Sequence, residues 1–187
     1  VTPKPESANP TVIHDPTLLS RAGFTFHGAW LNRQGALTHL EVRVKRWSPD
    51  LLYAWRTNGP WTARRMSPEA SGDRGLTPSF DGEQPFSPMP LWFSPSTLSE
   101  LKKNGRARVG KLNLLLEGWS YHRLIEQGPQ EKGSRPLSVP VMVVARPDTG
   151  SRYWIAPNGA NPILLRAERP DGLFYLAGMV QPEEIGR

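Results

Sequence analysis

The chain has 187 residues, no cysteine, and a formal net charge of +6 from 23 Lys and Arg against 17 Asp and Glu. That length supports one hydrophobic core without a covalent staple, and the lack of cysteine excludes disulfides, thiolate metal sites and a thiol nucleophile. No apolar run reaches the roughly 18 residues that a membrane-spanning helix needs, while the positive charge admits nucleic acid, anionic lipid or acidic polymers as partners.

Residues 1–11, opening Val1-Thr-Pro-Lys-Pro-Glu, are polar and proline-rich and read as a flexible linker of the kind that follows an export signal or lipid anchor. Asp15, Pro16 and Gly23 supply an N-cap, a first-turn proline and a terminal glycine, which predicts a short helix over 16–22. Phe24, Phe26 and Trp30 then share one face of a strand. Leu40, Val42 and Val44 share one face of the next, with His39, Glu41, Arg43 and Lys45 between them, a period of two that describes a sheet with one wet face. The loop from Asn32 to Gly35 closes this hairpin. A second hairpin turns at Asn58-Gly59; a two-residue turn there sets Arg56 opposite Trp61, Trp55 opposite Thr62 and Tyr53 opposite Arg64. Pro60 marks an edge, because it cannot donate to a neighbouring strand.

Residues 69–93 carry Pro78, Pro85, Pro88 and Pro90 with Phe80, Phe86, Leu91, Trp92 and Phe93 interspersed, and read as a long loop partly docked through its aromatics. Ser94-Pro95 starts a second short helix, ended by Lys102, Lys103 and Gly105, that covers the sheet with Leu98 and Leu101. After it, Ala107 and Val109 are apolar at odd positions and Leu112, Leu114 and Leu116 at even ones, so a bulge at 109–111 is expected within one strand. A turn at Gly118 and a strand over 120–125 follow. Apolar runs near Leu137, Ser151, Ile163 and Leu173, separated by turn motifs rich in Pro, Asp, Asn and Gly, describe an antiparallel meander. Val141 to Ala145 is apolar on both parities, as for a strand covered on both faces. The expected fold is mainly β: one domain over 12–180, a curved antiparallel sheet, half-barrel or sandwich-like, with two short helices and a tail at 181–187.

Chemistry is sparsely encoded. His14, His27, His39 and His122 lie apart; His27 falls opposite His39 or Glu41 across the first hairpin, where a metal would need a third ligand. Asp81, Asp148 and Asp171 belong to turns, Glu41 and Glu117 to strands. No nucleophile elbow, Walker lysine or cofactor motif is present, so no catalytic residue, metal or cofactor is assigned. The strongest constellation is aromatic and basic: Tyr53, Trp55, Arg56, Trp61, Arg64 and Arg65 on the second hairpin, with Phe86 and Trp92 from the loop.

Pro90-Leu-Trp-Phe93, Arg152-Tyr-Trp-Ile-Ala-Pro-Asn-Gly159 and Pro162-Ile-Leu-Leu-Arg166 resemble segments of exported bacterial lipoprotein-carrier and related lipid-binding envelope proteins. That resemblance implies a curved sheet holding acyl chains, a periplasmic or extracellular location, and peripheral rather than spanning membrane contact. The resulting expectation is a non-enzymatic binding domain for a hydrophobic or amphiphilic ligand, or for a protein partner, in the concavity of the sheet. One alternative is a basic aromatic module for nucleic acid or acidic glycan, and another is a metal-dependent hydrolase built on His27, His39 and Glu41 or Glu117.

Overall fold

Strands dominate the computed structural model, which describes residues 11–12, 23–46, 51–66, 95–109, 112–128, 133–157 and 162–181. In chain order they are β1 (Thr11–Val12), β2 (Thr25–Asn32), β3 (Leu37–Arg46), β4 (Leu51–Arg56), β5 (Thr62–Met66), β6 (Arg106–Val109), β7 (Leu112–Gln127), β8 (Ser134–Arg146), β9 (Ser151–Ala156), β10 (Ile163–Arg169) and β11 (Gly172–Val180). One helix among the described residues, α1 (Pro95–Asn104), accompanies them. The expected helix at 16–22, the loop at 69–93, most of the N-terminal linker and the tail beyond Gln181 lie outside the described residues. Thr11, assigned to the linker by composition, is already in the sheet, paired with Leu137.

Both hairpins and the meander form as their patterning dictates. Phe24, Phe26, Val42 and Val44 are buried while Arg43 and Lys45 face water. Trp55 is opposite Thr62 and Tyr53 opposite Arg64, the register set by the Asn58-Gly59 turn, and among the described strands β5 is at the edge of the sheet, in keeping with Pro60. The path runs β5-β4-β3-β2-β11-β10-β9-β8-β7-β6. Strand β11 gives one edge to β2 along its whole length and divides the other, with Gly172–Tyr175 pairing β10 and Gly178–Val180 running parallel to Ile125–Gln127 of β7. Strands β7 to β11 therefore close as a five-stranded ring, and β2 to β5 form an open extension from β11.

Two readings around β7 are corrected. Val109 pairs with Leu112, so the chain reverses between them and the change of apolar phase there marks a hairpin between β6 and β7, not a bulge in one strand. Ala107 and Leu114, directly opposite each other, are thereby buried together. No turn divides the strand at Gly118: β7 runs on through an irregularity at which Leu116 pairs with Val144 and Gly118 with Val143, leaving Glu117 as the extra residue. The extra residue exchanges the faces of the sheet. Leu114 and Leu116 pack with Val144 and Tyr153, whereas His122 and Leu124, also even-numbered, face the other side with Leu137 and Val139. In β8 the buried phase changes between Val141 and Met142, which explains an apolar run on both parities without both faces being covered at every residue.

Helix α1 packs on β6 and β7 through Leu98 and Leu101, which are 3% and 0% exposed. Lys102 and Lys103 occupy its last turn, where the helix dipole favours cations, and Gly105 follows at φ 70°. The interior is filled by side chains. Leu124, Val139, Ile155, Leu164 and Phe174 are no more than 1% exposed. Where β2 meets β11, a Cβ on Gly172 would lie 2.4 Å from the Leu31 carbonyl oxygen and 2.6 Å from the Trp30 ring, so only glycine fits.

Candidate functional site

The wet face of the open extension carries the site. In β2 and β3, His27 lies opposite Glu41, the second of the two registers open to the sequence, and β4 sets Arg56 opposite the same glutamate. His27 Nδ1 is 3.5 Å from Glu41 Oε1, and Arg56 Nε donates to Glu41 Oε2. With Gly28, His39, Leu40 and the 57–59 turn, these side chains line an open cleft of about 440 Å³. Gly28 lines it as well, and a Cβ there would lie 3.0 Å from the buried Phe174 ring, so this part of β2 sits close on the core.

Beside the cleft, Trp61 carries two cations. The guanidinium carbons of Arg56 and Arg43 lie 4.6 and 4.8 Å from the ring centroid. Arg43 Nε also donates to Thr25 Oγ1 at 3.3 Å. A guanidinium over an indole keeps its N–H edges available while the ring fixes its plane. The Arg56 hydrogen bond holds the Glu41 carboxyl below the usual carboxylate range; burial opposes this, and the charges of Arg56, His27 and Arg43 assist it. Glu41 therefore stays ionised and neutralises one of the two guanidiniums. Arg43 has no carboxylate partner among the described residues.

The expected constellation is divided by the pleat. Arg56 and Trp61 meet on the wet face, but Tyr53 and Trp55 pack against the core, Trp55 opposite the buried Val42. Arg64 is opposite Tyr53, and its side chain, with that of Arg65, lies outside the described residues, as do Phe86 and Trp92. Sequence reading did not group Arg43, Glu41 and His27 with the second hairpin, although the alternation that turns Glu41 and Arg43 outward was the available signal. His27, His39 and Glu41 share the cleft, yet no group of three or more His, Cys, Asp or Glu among the described residues can hold a metal ion.

Of the other acids weighed from the sequence, Asp81 lies outside the described residues and the rest are in ion pairs. Asp148 and Asp171 bind Arg146 and Arg169 within their turns, and Glu117 pairs with Arg152 at 2.9 Å on the ring. Strand arginines elsewhere also lie over partly buried tryptophans, Arg166 over Trp154 at 4.4 Å and Arg169 over Trp30 at 5.7 Å. No family model, no curated protein and no solved structure matches this chain.

Proposed function

We propose that the protein is a non-catalytic binding module that takes an acidic glycan at the Arg43–Trp61–Arg56 face. One observation carries this reading: two guanidiniums are fixed on one indole, and a single carboxylate neutralises only one of them. A guanidinium already held in place loses little freedom on binding a carboxylate or sulfate, and charge-assisted hydrogen bonds are the stronger kind. His27, His39 and Asn58 add polar groups suited to sugar hydroxyls along the adjoining cleft. Glycan is favoured over nucleic acid because base stacking needs free rings. Trp61 is engaged by arginine, and Tyr53 and Trp55 pack on the core. An acyl chain held inside the sheet finds no support in an interior occupied by Leu124, Val139, Ile155 and Phe174. An envelope or extracellular location accords with such a ligand.

The test is titration with a sulfated glycan, a polyuronate and single-stranded DNA at low and high salt. Glycan binding should weaken as salt rises, and Arg43→Ala should lower affinity about tenfold, the scale of one charge-assisted hydrogen bond. Tighter binding of the DNA than of either glycan, or titrations that Arg43→Ala leaves unchanged, would overturn the proposal.

A further inference from the structure

A second surface lies on the ring, away from the cleft. Beyond the Glu117 irregularity, the face of β7 opposite His122 and Leu124 presents Trp119, Tyr121, Arg123 and Ile125. Trp119, Tyr121 and Ile125 are 58%, 63% and 38% exposed, which makes them conspicuous beside the buried residues that alternate with them. The register places Pro140 opposite Tyr121 and Pro136 opposite Ile125, both half-buried, so proline carbons extend the apolar surface onto β8. Arg123 stands between Tyr121 and Ile125, exposed and without a carboxylate partner among the described residues.

We infer that this face rests on an anionic lipid surface. Trp and Tyr pair an apolar body with a polar tip and favour the depth of lipid headgroups, and a nearby cation gains from anionic lipid. Arg123 and the chain's net charge of +6 supply the complementary sign. Size separates a lipid occupant from a protein one. Six side chains along about 20 Å of strand fall well short of the 20 to 30 residues a side that a stable protein interface uses, whereas a few anchors suffice for reversible contact with a bilayer surface. No helix among the described residues is long and apolar enough to cross a membrane.

Flotation with vesicles of phosphatidylcholine alone, and with phosphatidylglycerol added, tests this on the full chain. Binding should require the anionic lipid, fall at least about tenfold in the Trp119→Ser/Tyr121→Ser double variant, and fall about fivefold in Arg123→Gln. Tyr121→Ser alone, at the most exposed position, provides a milder variant that the fold should tolerate. Arg43→Ala, which removes a charge away from this face, should lower flotation less than Arg123→Gln, which separates this face from the proposed glycan site. No flotation with anionic vesicles, or equal flotation of wild type and the double variant, would overturn the inference. So would concentration-dependent self-association abolished by the same two substitutions, which would assign the face to a second copy of the chain.

Discussion

His122 shows how one side chain couples the ring to pH. It is 3% exposed, its Nε2 lies 2.7 Å from the Leu176 carbonyl oxygen, and its ring is 4.5 Å from that of Tyr175. Burial pushes its pKa down to about 4, the hydrogen bond to Leu176 opposing and the charge of Arg166 assisting. A histidine neutral in the fold and protonated when unfolded contributes stability that is fully present above about pH 6.5 and is lost as pH falls toward 4. The loss by pH 4 is about 3 kcal/mol. Urea melts of wild type and His122→Gln should therefore differ by a pH-dependent amount across that window, and parallel curves would remove the role. Gly172 makes a steric demand instead. Gly172→Ala should cost at least about 2 kcal/mol, because a backbone carbonyl and a packed indole cannot both retreat; a thermal melt like wild type would show that they do.

At the level of elements, legibility followed how local each signal was. The alternation in Leu40, Val42 and Val44, the Asn58-Gly59 turn and the meander turns at 147–150 and 170–172 each specify geometry within a few residues, and each formed as read, while the Asn158-Gly159 turn lies outside the described residues. A change of apolar phase has two causes, a bulge or a reversal, and the Leu112–Leu116 run cannot tell them apart; pairing of Val109 with Leu112 does. The Glu117 irregularity was hidden for the opposite reason. Leu114, Leu116, His122 and Leu124 keep even parity through it while exchanging faces, so the sequence period never breaks. Gly118 follows the extra residue at φ 155° with open space where a Cβ would sit. Gly118→Ala should thus cost about 1–2 kcal/mol through backbone strain alone, and a neutral melt would mean the backbone relaxes to negative φ. In α1, Leu101 is fully buried, and Leu101→Ala should cost about 2–5 kcal/mol by denaturant titration. Part of the candidate site could be read in the same way, since His27 against Glu41 and Arg56 beside Trp61 follow from register. The cluster as a whole could not, because it requires β3 and β4 to be neighbours.

For the molecule as a whole, the closed ring and the open extension differ in how they are held. Each of β7 to β11 has neighbours on both edges for at least part of its length, whereas among the described residues the only strand pairing that joins β2 to β5 to the ring is the β2–β11 ladder. Amide exchange should accordingly be faster in β3 to β5 than in Leu124, Val141 and Ile155 under native conditions; uniform protection would show that the two parts open together. The ladder also has a temporal side. Strand β11 is the last strand of the described chain, while the β2 to β5 hairpins that it completes are made more than a hundred residues earlier. As the polypeptide emerges, the edge of β2 awaiting β11 stays unpaired until the intervening strands and β11 itself have been made, the condition in which strands associate with other chains. Such a delay ties productive folding to β11, and a nascent chain stalled before Gly172 should be captured by holdase chaperones far more than one stalled after Val180 has emerged.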